Sequence, residues 1–145
     1  MNVLYLSYDG MTDPLGQSQV IPYLAGLTKH GYKFTIISFE KFDNYQKRYA
    51  SIASILKQTS INWAPLTYHK SPPVISTLYD LLMLRNKAIA LHKKEKFQLV
   101  HCRSYVTSII GLHLKKTFGI KFIFDMRGYW ADERVDGKIW NVDAL

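Results

Sequence analysis

The sequence predicts an α/β fold: a doubly wound, mostly parallel sheet flanked by helices. Three observations predict it. Short apolar runs alternate with segments of helical periodicity along the chain. Two distant segments, Lys29-His30-Gly31-Tyr32-Lys33-Phe34 and Thr117-Phe118-Gly119-Ile120-Lys121-Phe122, repeat one pattern of helix stop, glycine and lysine-led aromatic strand. The first apolar run passes through a glycine-bearing loop into an apolar-periodic stretch, which is the opening half of a βαβ unit.

Asn2 to Tyr8 reads as the first strand and Gln17 to His30 as the first helix, with Pro22 in its first turn, where a missing N–H costs little. Gly31 after Lys29-His30 is a helix stop. Lys33 to Phe39 is the second strand. Asp43 is placed to cap a second helix, whose Tyr45, Tyr49, Ile52 and Leu56 recur at helical spacing and are expected in the core. Ile61 to Tyr68 is a weaker strand, and Pro65 within it points to a sheet edge. Ser71-Pro72-Pro73 breaks the chain and opens a long helix to about Lys94, with Leu78, Leu82 and Ile89 on one face. Phe97 to Cys102 is a strand, Tyr105 to Phe118 a helix and Ile120 to Asp125 a further strand. After Asp125 the chain turns polar, aromatic and glycine-punctuated, as if a domain continued into something longer.

The 145 residues, 48% of them hydrophobic, suffice for one domain with a real core. No stretch approaches the ~20 apolar residues that cross a bilayer, and the N-terminus lacks the features of a signal peptide. Met1 leading straight into a strand and the single Cys102 give the expectation of a cytoplasmic chain in a reducing compartment. Cys102 is expected as a buried thiol rather than a nucleophile. The net charge of +8 suits anionic lipid or a phosphorylated ligand. Its densest run, Arg85 to Lys96, reads either as a solvated helix end that complements the dipole or as a peripheral contact with the inner face of an anionic membrane. No nucleic-acid-binding motif accompanies the charge. The five histidines are scattered without i, i+4 pairs, and no Asp-x-Asp occurs, so no metal or other cofactor is expected.

Ligands of open α/β sheets collect outside the carboxyl ends of the strands. Three such ends are predicted to converge: Asp9 to Gly16, His101 to Tyr105, and Asp125 to Asp132. The first has neither the Gly-Lys-Ser/Thr of a P-loop nor Gly-x-Gly-x-x-Gly, so Gly10 and Gly16 either permit tight turns or let backbone approach phosphate. The second carries Arg103, a planar fork suited to phosphate or carboxylate, with Ser104 and Tyr105 as hydroxyl donors. The third offers Asp125, Arg127, Asp132 and Glu133. An ion pair between Arg103 and Asp125 is the competing structural reading, and burial against a partner domain is the one for Tyr129 and Trp130.

Three segments carry a family resemblance: Pro14-Leu15-Gly16-Gln17-Ser18-Gln19-Val20-Ile21-Pro22-Tyr23-Leu24, Val100-His101-Cys102-Arg103-Ser104-Tyr105, and Phe124-Asp125-Met126-Arg127-Gly128-Tyr129-Trp130-Ala131-Asp132-Glu133. With them the chain resembles the N-terminal domain of a GT-B glycosyltransferase of family four, the retaining group that uses sugar nucleotides. The resemblance implies a single Rossmann-like domain over residues 1–145, the acceptor-side half, which faces a C-terminal donor-binding domain that this sequence lacks. It implies transfer of a sugar from a nucleotide sugar to a polysaccharide or glycolipid acceptor, with Arg103, Asp125 and Arg127 catalytic and Gly16, Gln17, Ser104 and Tyr105 contacting substrate. Many relatives end the fourth strand in His-x-His. Here His101 matches the first histidine and Arg103 the second, and arginine cannot act as a neutral base, though it can stabilise negative charge. By this reading the chain alone is inactive. The rival expectations are a non-catalytic flavodoxin-like binding module and an adaptor for anionic membranes.

Overall fold

The computed structural model describes residues 1–128. Five strands form one all-parallel sheet: β1 (Asn2–Ser7), β2 (Lys33–Glu40), β3 (Asn62–Thr67), β4 (Leu99–Arg103) and β5 (Lys121–Asp125), in the order β3-β2-β1-β4-β5. The helices are α1 (Ile21–Thr28), α2 (Phe42–Gln58), α3 (Ile75–Glu95) and α4 (Ser104–Phe118). This is the Rossmann order and not the 2-1-3-4-5 order of flavodoxin-like sheets, which corrects the flavodoxin-like alternative. Proline-bearing β3 lies at an edge, where its missing donor costs least.

Two apolar layers follow from strand alternation. Leu4, Leu6, Ile37, Phe39, Val100 and Cys102 face α3 and α4. Val3, Tyr5, Phe34 and Ile36 face α1 and α2. Cys102 is fully buried, its thiol pushed up to about 12 by that burial, and a side chain at Gly111 of α4 would collide with its Sγ and with Phe122. The repeated helix-to-strand pattern has one cause: Gly31 and Gly119 take left-handed φ of 82° and 70° at the helix stops.

Several expectations are corrected. The first helix does not run regularly from Gln17. A wide π turn spans Gly16–Val20, with Ile21 N–H donating to the Gly16 carbonyl, before α1 begins with Pro22 in its first turn. Lys41, not Asp43, is the N-cap of α2 and makes no side-chain capping bond; Asp43 acts only through its charge in the first turn. In α2, Ile52 and Leu56 are core, whereas Tyr45 is half-buried and Tyr49 exposed, both packed on edge-strand Trp63. On α3 the buried stripe is Ser76, Asp80, Leu84 and Ala88, while Leu78 and Leu82 are each 57% exposed. A polar network explains this: buried Asp80 accepts bonds from Tyr8 Oη (2.9 Å) and the His69 backbone (3.2 Å) and pairs with His69 Nδ1 (2.6 Å), so it turns the aspartate inward and the leucines out.

Candidate anion site at the topological switch point

Strand order reverses between β1 and β4, so the crevice outside their carboxyl ends is the expected ligand position of this fold. The loop from β1 to α1 forms one wall. It is pinned by Glu40, a buried carboxylate at the end of β2 that the sequence reading missed. Its oxygens accept bonds from Met11 N–H (2.8 Å), Thr12 N–H (3.0 Å), Thr12 Oγ1 (2.5 Å) and Ser38 Oγ (2.6 Å). Asp13 accepts bonds from Lys41 (2.9 Å) and Asn44 (2.6 Å), and the first of these, aided by the carboxylate's charge, holds the Lys41 ammonium pKa above the usual lysine range. The glycines serve close approach rather than unusual φ. A Cβ on Gly10 would stand 2.6 Å from Glu40 Oε2, and one on Gly16 would stand 2.6 Å from Met11 Cα.

Gly16 is therefore buried against its own loop, and Gln17 donates to the Thr12 carbonyl at 2.9 Å. Their recorded contacts are internal, and it is Gln19, on the same turn, that enters the crevice. Gln19 Oε1 accepts from Arg103 Nη2 (3.0 Å) and from Arg127 Nη2 (3.3 Å). Asp9 at the end of β1 lies 3.5 Å from Arg127 Nη1 and 3.8 Å from Arg103 Nε. The two arginines, far apart in sequence, thus converge on one amide oxygen.

Arg103 and Asp125 are register partners in β4 and β5, yet the expected ion pair between them is not the one formed. Arg103 reaches across β1 toward Asp9, and Asp125 lies 3.5 Å from His101 Nε2 instead. Burial holds His101 below the ordinary histidine pKa; Asp125 opposes that shift and Arg103 adds to it. Tyr5, packed against His101 with tilted rings 4.8 Å apart, has its phenol pushed up to about 12 by burial. Buried His101 Nε2 and Arg103 Nε both lack a hydrogen-bond partner among the described residues. A cleft of about 720 Å³ opens here, lined by Tyr5, Gln19, Tyr23, His101, Arg103 and Asp125 among others.

Ser104 occupies the strand-to-helix junction at a φ of 75°, a sparsely populated conformation of the kind that gathers at functional sites. Tyr105 is exposed, donates to the Gly128 carbonyl at 3.1 Å and packs edge-on against Phe124. Tyr129, Trp130, Asp132 and Glu133 lie outside the described residues. Among the described residues no group of three or more His, Cys, Asp or Glu side chains is disposed to hold a metal, and no helix is long and apolar enough to cross a membrane.

Glycosyltransferases share this fold. The glycotransferase of kitacinnamycin superposes over 85% of this chain at a TM-score of 0.59 and 14% identity. A glycosyltransferase from Rickettsia africae does so over 85% at 0.56 and 15% identity. In both cases the chain spans 29% of the larger protein. The C-terminal domain of a Pyrococcus furiosus hydrogenase matches over 86% of this chain and 90% of its own length, at a TM-score of 0.61 and 14% identity. At such identities the likeness is one of fold, and the fold hosts more than one chemistry. No protein-family profile and no curated protein sequence matches the chain.

What the site can do follows from its charges. A neutral amide oxygen is a poor terminal partner for two guanidinium groups, because charge-assisted bonds to an anion are roughly twice as strong. A phosphate or carboxylate would displace Gln19 and supply Arg103 Nε with the acceptor it lacks. Gln19 and Asp9 were legible only in part: both lie in segments singled out by sequence, but nothing in the pattern revealed that their side chains span the crevice.

Proposed function

We propose that this chain is the acceptor-side domain of a GT-B glycosyltransferase of family four, the retaining group. The reaction moves a sugar from a nucleotide diphosphate to a hydroxyl of a polysaccharide or glycolipid acceptor, in the cytoplasm and without a metal. The observation that carries this reading is the convergence of Arg127 and Arg103, whose buried Nε lacks a partner among the described residues, on one neutral amide oxygen at the switch point of a Rossmann-order sheet. The glycosyltransferase-like fold and the three family-like motifs support it. Arg103 and Arg127 stabilise negative charge on the leaving diphosphate, Asp125 orients the site through His101, and Ser104 and Tyr105 contact the acceptor. Gly16 and Gln17 support the loop that carries Gln19. A second α/β domain binds most of the donor across the cleft. Its requirement gives the test. The isolated chain is expected to show no transfer and only weak nucleotide-sugar affinity by calorimetry, and activity is expected when a donor-binding domain is supplied. Micromolar binding of a nucleotide sugar by the chain alone would overturn the two-domain reading in favour of a self-sufficient binding module.

A further inference from the structure

Helices α3 and α4 lie side by side on one face of the sheet, linked by the Arg85 Nε to His113 Nε2 bond of 3.1 Å. Their outward stripes carry the same gradient. On α3 the first turns expose Ile75, Leu78, Tyr79 and Leu82, and the last turns expose Lys87, Lys93 and Lys94. On α4, Ile109 and Leu112 are exposed, and Lys115 and Lys116 follow. Helices between parallel strands run antiparallel to them, so both apolar halves lie toward the carboxyl edge of the sheet and both lysine groups toward the amino edge. The acidic residues of the two helices offset this charge only in part: Asp80 is fully buried and paired with His69, and Glu95, bonded to Thr35 at 2.6 Å, is the one other acid.

We propose that the α3/α4 face docks the protein on an anionic bilayer surface. An apolar patch bordered by lysines matches an interfacial element whose leucines enter the headgroup boundary while its ammonium groups meet anionic lipid. Protein interfaces are depleted in lysine, so the same composition argues against a protein partner. The inference rests on the surface alone and stands whether or not the site transfers sugar.

Co-sedimentation with phosphatidylcholine vesicles, with and without phosphatidylglycerol, tests it. Binding is expected to the anionic vesicles and to collapse at high salt. Lys115→Gln with Lys116→Gln is expected to weaken it about 30-fold, from roughly fivefold per lysine near a charged surface. Leu78→Ser with Leu82→Ser is expected to weaken it about tenfold or more at every salt concentration, with an unchanged urea midpoint because both side chains are exposed. A single Trp emission reporter, Leu82→Trp, is expected to shift to the blue on anionic vesicles only. Absence of binding to anionic vesicles, or binding indifferent to both double variants, overturns the proposal. A concentration-dependent dimer that the leucine variant abolishes, with no vesicle binding, assigns the face to a second copy of the chain instead.

Discussion

Arg103 is held by a neutral oxygen on one side and a carboxylate beyond hydrogen-bond reach on the other. In a two-domain enzyme, Arg103→Lys keeps the charge and loses the planar fork. If the guanidinium meets a phosphate, the contact is worth about 1.5–3 kcal/mol, so kcat/KM is expected to fall roughly 10- to 150-fold. The loss appears in kcat if the bond tightens in the transition state and in KM if it does not. A stable variant with unchanged kinetics removes Arg103 from the reaction. His101 gives a second test, independent of activity. Its folded pKa lies below that of the unfolded chain, so on acidification the unfolded state takes up the proton first. Its contribution to stability is complete above about pH 6.5 and is lost as pH falls below that value, with a slope of at most about 1.4 kcal/mol per pH unit. Urea midpoints measured toward acid pH are expected to fall less steeply in His101→Phe. Some slope remains there, because burial and Lys96 also lower the pKa of His92. An identical slope in variant and parent would show that His101 is not the titrating group. Sequence spacing pointed to Arg103 and Arg127, but the bridging amide of Gln19 depends on side-chain reach, which spacing does not encode.

The loop and turn that build the crevice depend on packing closer than any periodicity can report. Gly10 passes over the end of β2 with no room for a Cβ, so Gly10→Ala is expected to cost about 1–3 kcal/mol in chemical denaturation. Glu40→Gln keeps the shape but weakens four bonds to an ionised carboxylate, and a loss of about 1.5–3 kcal/mol is expected by the same measurement. A midpoint unchanged in Glu40→Gln would mean that the loop is held by Asp13 and its partners alone. Glu40 escaped the sequence reading because a single acid at a strand end looks like any solvated residue. The π turn escaped it for a related reason: Pro22 announces a helix start, but not how wide the preceding turn is. The strands were easier to read, since alternation and β-branched runs record their burial directly. That the face shared by Leu78 and Leu82 turns outward could not be read from spacing, because Asp80, a polar residue, belongs to the buried stripe.

Across the whole molecule, the parallel sheet and its helix alternation were legible, because each strand–helix unit obeys local rules. Strand order was not, since it depends on which crossover turns left or right of β1. Order matters for function: it places the reversal beside Arg103 and so fixes where a ligand sits. The position of β4 beside edge strand β5 has a consequence for measurement. Cys102 is the only thiol of the chain, fully buried between β1 and β5 beneath α4. Its register partner Phe124 belongs to β5, an edge strand among the described residues, so one side of the thiol is shielded by a strand that can fray without the rest of the sheet. A thiol reagent can therefore label the protein once β5 or α4 moves away, before the whole fold opens. Labelling in native buffer is expected to be slower than that of a free thiol by the free energy of that local opening. The labelling rate of an unmodified chain thus reports how firmly β5 and α4 are held on β4, without denaturant, fluorophore or added residue.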